Sequence, residues 1–243
     1  MSNNGATGIE VVAFDGDDTL WHSESHFVDA HHRFCALVEP YVDDRGRGLV
    51  DERVVGTERD NLALYGYGAK AFTLSLIESA IELTEGRITS REISAILDLG
   101  KTLLAHPVEL LDGVSDVVEE LAGTGRRLIV VTKGDLFHQE SKVAGSGLAD
   151  RFTRVEIVSE KDVATYRRVM AAAEVEPERF LMIGNSVRSD VLPVVELGGH
   201  AAHLPYQYTW ELEHVPDADA ERQGFHELTS IRQLPELVER LSA

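Results

Sequence analysis

Asp15, Asp17 and Asp18 place three carboxylates within four residues, directly after the mostly apolar run 9–14. Like charges this close repel one another, and a bound divalent cation relieves the repulsion. Oxygen donors suit Mg²⁺, which keeps several waters and is held by one or two carboxylates together with a substrate phosphate. An acidic turn is the ordinary alternative, because Asp and Gly both favour turns. Further reactive side chains follow later apolar runs: Thr132 and Lys133, then Lys161, then the segment Gly184-Asn185-Ser186-Val187-Arg188-Ser189-Asp190. Brought to one place, they add a hydroxyl, an ammonium group and a further acid to the first carboxylates.

The elements that must position these groups are legible as a pattern. Short apolar runs at 9–14, 127–131, 155–158, 180–183 and 201–204 read as strands covered on both faces, as in parallel sheets. Helical spacing of apolar residues lies between them at 114–121, 136–144, 162–173 and 230–241. Strand alternating with helix predicts an α/β fold, a Rossmann-like, doubly wound parallel sheet. In such a sheet the strand ends converge on one edge, where Asp15, Thr132, Lys161 and Asp190 would meet. Residues 22–105 break the alternation, with helices expected at 24–39, 49–64, 69–83 and 90–104 and no strand. The predicted organisation is a core of residues 1–21 and 106–243 with an all-α cap of residues 22–105. An insert at the carboxyl end of the first strand sits over the usual ligand crevice and suits a lid.

In the order and spacing of these residues, the chain resembles the haloacid dehalogenase-like hydrolase superfamily over nearly its whole length. Asp15-x-Asp17-x-Thr19 matches the first motif, Thr132 the second, Lys161 the third, and Gly184-Asn185 with Asp190 the fourth. The resemblance implies that Asp15 is a nucleophile that forms an aspartyl-phosphate. It implies that Asp17 is first general acid and then base. Thr132 would bind a phosphoryl oxygen and Lys161 would neutralise developing charge. Mg²⁺ would be held by Asp15, the Asp17 carbonyl and the fourth-motif residues Asp190 and Asn185. Dehalogenase members lack an aspartate two residues after the nucleophile, so Asp17 favours phosphoryl chemistry. The implied activity is Mg²⁺-dependent hydrolysis of a small phosphorylated metabolite. Alternatives on the same scaffold are a phosphomutase or a catalytically weak ligand-binding protein.

Two positions depart from the commonest pattern. Asn185 stands where many phosphatases have Asp; it either offers a carbonyl oxygen or caps the following helix, and both can hold together. Lys142 rivals Lys161 for the third motif, but it falls mid-helix before the third strand and is expected at the surface. Thr19 is expected to orient the loop, and Lys133, Arg188 and Arg59 to contact substrate. Asp135, Asn61, Tyr65, Tyr67 and Lys70 are candidates for the mouth or for cap packing. His22, Glu24 and His26 fall where the cap hinge is expected. Trp21 is expected to pack. His31 and His32 look like a metal pair, but adjacent helical residues point apart. Trp210 and the acidic stretch 211–227 are expected to form a solvated segment.

Composition limits the partners. The chain has 243 residues, 23 Lys and Arg against 42 Asp and Glu, and a formal net charge of −19. Such a surface disfavours nucleic-acid polymers and anionic membranes. Cys35 is the only cysteine, so no intrachain disulfide can form. With no visible leader sequence, the expected setting is cytoplasmic. Nothing in the sequence addresses oligomeric state.

Overall fold

In a computed structural model of the chain, residues 8–42, 48–208, 210–213 and 225–243 are described. The polar start of the chain and residues 214–224 of the acidic stretch lie outside them.

Strand β1, Val11–Phe14, is buried at every residue. It lies between β2, Arg127–Lys133, and β4, Phe180–Gly184, and is parallel to both. With β3 at Arg154–Val158, β5 at His200–His203 and β6 at Phe225–Glu227, the sheet order is β3-β2-β1-β4-β5-β6. Strand order therefore reverses at β1, and loops leaving neighbouring strands on either side diverge there to open a crevice. This is the Rossmann-like α/β sheet that the alternation of runs predicts.

Strands β1, β2, β4 and β5 feed two cores. Val12 and Phe14 pack with α5, Val114–Gly123, and α9, Leu234–Leu241. Val11 and Ala13 face the opposite way, toward Tyr166, Val169 and Met170 of α7, Val163–Ala172, and Val194 of α8, Leu192–Glu196. Burial on both faces is why β1, β2 and β4 are nearly continuous apolar runs, whereas the edge strand β3 is exposed over its first residues. Strand β6 was not expected. It has three residues, His226 and Glu227 among them, too few and too polar for a period to show. Residues 225–227 are thus an edge strand, with Glu227 still exposed to solvent.

The chain divides into two compact units: residues 1–22, 108–132 and 140–243, and residues 23–107 with 133–139. The second is built on α1, Glu24–Val38, α2, Val50–Tyr65, α3, Ala69–Leu83, and α4, Ser90–Ala105. Phe34, Val54, Phe72, Leu76, Ile96 and Leu99 form its core. Thr89 starts α4 with a capping box, exchanging bonds with Glu92. That motif satisfies backbone donors that a helix start leaves unpaired. The segment 133–139 includes the start of α6, Leu136–Gly145. Among the described residues, no helix is long and apolar enough to cross a membrane.

Candidate active site

The Asp15 amide donates to the Ile183 carbonyl at 2.8 Å, which extends the β1–β4 ladder to the acidic residue itself. The chain then turns sharply. The Leu20 amide returns to the Gly16 carbonyl at 2.8 Å, and the Asp18 amide donates to the Trp21 carbonyl at 2.7 Å. Asp18 adopts a left-handed backbone, φ 62°, which Asp tolerates better than most residues. A side chain at Gly16 would put its Cβ 2.9 Å from the Trp21 ring and 3.2 Å from Thr132 Oγ1. Glycine therefore lets the loop settle against the end of β2. Thr19 is buried beneath it and donates to Asp15 Oδ2 at 3.4 Å.

Lys161 ties the two distant acids together. Its Nζ lies 2.5 Å from Asp15 Oδ1 and 2.6 Å from Asp190 Oδ1, and all three side chains are buried. Asp190 is held from three sides: by Lys161, by the Tyr166 hydroxyl at 3.4 Å and by the Ser186 amide at 3.1 Å. A Cβ at Gly184 would fall 2.1 Å from Asp190 Oδ2, so only glycine leaves room for that carboxylate. Asp190 lies on one π-helical turn, Val187–Val191. The cap of that turn is Ser186, whose Oγ accepts from the Ser189 amide at 3.0 Å. This corrects the expectation that Asn185 caps the helix: the turn begins one residue later. The Asn185 backbone carbonyl instead faces His203 Nε2 at 3.2 Å.

The charges do not balance, because one buried ammonium group serves two buried carboxylates. Burial drives the Asp15 pKa up; Lys161 opposes this, Asp190 and Asp17 reinforce it, and the result is about 7. Burial alone would lower the Lys161 pKa, but Asp15 and Asp190 outweigh it and hold the ammonium protonated. Burial also lifts the Tyr166 phenol well above its usual pKa, so it acts as a donor. A site with oxygen donors and surplus negative charge fits a hard divalent cation.

Asp17 is held separately. Trp21 Nε1 donates to its Oδ1 at 2.7 Å, so Trp21 does more than pack. Lys142 Nζ lies 2.8 Å from Oδ1 and 2.9 Å from Oδ2. Lys142 is thus not the surface residue that its mid-helix position suggested; only 13% of its side chain is exposed. Its long stem reaches from the middle of α6 back to the loop after β1.

A family model of the haloacid dehalogenase-like hydrolases matches residues 9–198. The chain belongs to this family. It is 41% identical to a haloacid dehalogenase-like hydrolase from Xanthomonas campestris, with a TM-score of 0.86, covering 100% of this chain and 95% of that one. The HAD hydrolase YfnB from Bacillus subtilis, bound to magnesium, matches at 16% identity and a TM-score of 0.63, covering 95% and 99% of the two chains. An L-2-haloacid dehalogenase from Xanthobacter autotrophicus matches at 17% and 0.65, covering 95% and 98%. No curated protein sequence matches the chain. The HAD fold is thus shown, and the protein is a hydrolase.

In this HAD-like chain, Asp15, Asp17, Thr19, Thr132, Lys161, Asn185 and Asp190 all belong to the sheet unit. Arg188 does too; it is exposed and donates to the Leu212 carbonyl. Two polar residues at the site escaped sequence reasoning. Tyr166 sits one turn into α7 with no signal beyond its helical spacing. Glu213 lies in the stretch expected to be solvated, yet accepts from Ser186 Oγ at 2.6 Å and Ser189 Oγ at 2.5 Å. His22 Nδ1 pairs with the Tyr206 hydroxyl at 2.7 Å.

The remaining candidates lie in the helical unit. Arg59 is exposed on α2. Asn61 is buried and donates to Ser75 and Glu78, which is a packing role. Lys133 Nζ stands 4.3 Å from the Tyr67 ring centroid, a cation–π distance. Lys70 bonds both Asp135 oxygens at 2.9 Å, and this lowers the Asp135 pKa. His26 stacks on His106 with centroids 3.7 Å apart.

Proposed function

We propose that this hydrolase is a Mg²⁺-dependent phosphatase that cleaves small-molecule phosphate monoesters through an aspartyl-phosphate at Asp15. The observation that carries the reading is Asp17. It stands two residues after Asp15 with its carboxylate oriented by Trp21 and Lys142. Displacement of halide needs no acid at that position. Expulsion of an alkoxide does, because the leaving oxygen must gain a proton.

Mg²⁺ would be held by the Asp15 and Asp190 carboxylates, the Asp17 carbonyl and the Asn185 side chain, and would shield charge between carboxylate and phosphate. Asp15 attacks phosphorus. Asp17 gives its proton to the leaving oxygen and then takes one from the water that hydrolyses the acyl-phosphate. Thr132 donates to a phosphoryl oxygen, and Lys161, already charged and buried, stabilises the transition state without reorganising. Thr19 steadies the nucleophile. Lys133, Arg188 and Arg59 are proposed for substrate contact, with residues 22–105 acting as the cap that selects it. The substrate is a small phosphorylated metabolite in the cytoplasm.

The test is phosphate release from a panel of sugar phosphates, nucleotides and short organic-acid phosphates with Mg²⁺, run beside a panel of 2-haloacids. Release of phosphate, with no halide, supports the reading. Halide release without metal would replace it.

A further inference from the structure

We propose that His31, Cys35 and Asp51 form a binding site for a borderline divalent cation such as Zn²⁺, on residues separate from those around Asp15. His31 and Cys35 are four apart on α1, so their side chains share one helix face. Asp51 stands in the first turn of α2 and approaches both. His31 Nε2 is 3.3 Å from Asp51 Oδ1, and Cys35 Sγ is 3.9 Å from the same oxygen. All three ligand atoms lie within 4.8 Å of one another.

These separations are close to those of a metal's coordination shell. Zinc bonds of about 2.0–2.1 Å to nitrogen, 2.3 Å to sulfur and 2.0–2.2 Å to oxygen, at tetrahedral angles, separate N from O by about 3.4 Å and S from O by about 3.6 Å. The His31–Asp51 pair already has this spacing, and a rotation of the Cys35 side chain would bring its sulfur into the shell. His31 Nε2 is also shielded from water and makes no hydrogen bond, although Asp51 lies beside it. A shielded ring nitrogen without a bond is costly, and a metal would satisfy it. The exposed neighbour His32 takes no part, as adjacent residues on a helix must diverge. The mixed N, S and O donors select Zn²⁺ or Co²⁺ over Mg²⁺. Asp51 is exposed, which leaves the fourth position to water. Cys35 binds as thiolate and releases its proton to solvent. The ion would pin the start of α2 to α1 within the helical unit.

Cys35 is the chain's only cysteine, so any thiolate–metal signal must come from this site. The experiment is a Co²⁺ titration of the purified full chain in excess Mg²⁺, followed by visible and near-ultraviolet absorption. The expected result is one saturating equivalent with a thiolate-to-cobalt band that Zn²⁺ displaces. Cys35→Ser should lose the band, and Cys35→Ser and His31→Ala should each weaken Zn²⁺ binding by at least about tenfold, since even outer-shell partners are worth about 10–100-fold. Zn²⁺ should raise the melting temperature of the wild type more than that of Cys35→Ser. If His31→Ala misfolds by circular dichroism, Cys35→Ser and Asp51→Asn decide the matter. A wild type with no thiolate band, or Zn²⁺ affinity unchanged in Cys35→Ser, overturns the proposal.

Discussion

Replacing Asp15 with Asn should abolish turnover and at the same time stabilise the metal-free protein, in a pH-dependent way. In the folded state Asp15 has a pKa raised by burial from 3.8 to about 7. Between those values the folded protein keeps a proton that the unfolded chain has lost. Stability therefore falls as pH rises through that window, and the loss is complete above about 7. Lys161 stays charged throughout, so its attraction for Asp15 is already contained in that value. The shift of about three units corresponds to roughly 4 kcal/mol at about 1.4 kcal/mol per unit, and local relaxation brings this to about 2–4 kcal/mol. Asn mimics the protonated acid and removes the titration. Wild type and Asp15→Asn should melt together near pH 4 in EDTA, and the variant should melt about 4–16 °C higher near pH 8. Added Mg²⁺ should narrow the gap by stabilising the wild type. Equal melting at both pH values, or a less stable variant near pH 8, would refute the charge imbalance at this site.

Further outcomes follow from the same geometry. Lys142→Met should leave the fold intact but release Asp17, lowering kcat by about tenfold, a fraction of the roughly 10²–10⁴ attributed to general acids; Lys142→Arg should recover part of it in steady-state assays. Gly184→Ala forces a Cβ to within 2.1 Å of Asp190 and should cost about 1–3 kcal/mol in denaturant unfolding along with most activity. Thr89→Ala removes the side-chain half of the α4 capping box, leaving the backbone amide of residue 89 on Glu92, and should cost about 1 kcal/mol without changing kcat.

Much of the fold was legible because strands buried on both faces must be apolar throughout. That is why 9–14, 127–131 and 180–183 stood out, and why each delivers its polar residue to the same edge. Strand β6 was hidden by its length, since Phe225–Glu227 is too short for any period and gains its place from pairing with β5. In the site, Asp15, Lys161 and Asp190 were readable from their positions after strands. Lys142 was not, because a helix position says nothing about where a four-carbon stem ends. Ser186 displaced Asn185 as the cap because both types cap well and only the backbone decides where the turn begins. Tyr166 and Glu213 reach the site through tertiary contacts alone, and neither lies beside a motif residue.

In the proposed reaction an Asp15 carboxylate oxygen attacks phosphorus. The direct measurement is an acid-quenched single turnover of p-nitrophenyl phosphate with Mg²⁺, followed by peptide mass spectrometry. A phosphoryl group on the peptide that contains Asp15, absent together with nitrophenol release in Asp15→Asn, is the predicted result. Turnover that persists in Asp15→Asn, or a phosphoryl group on another residue, would contradict it.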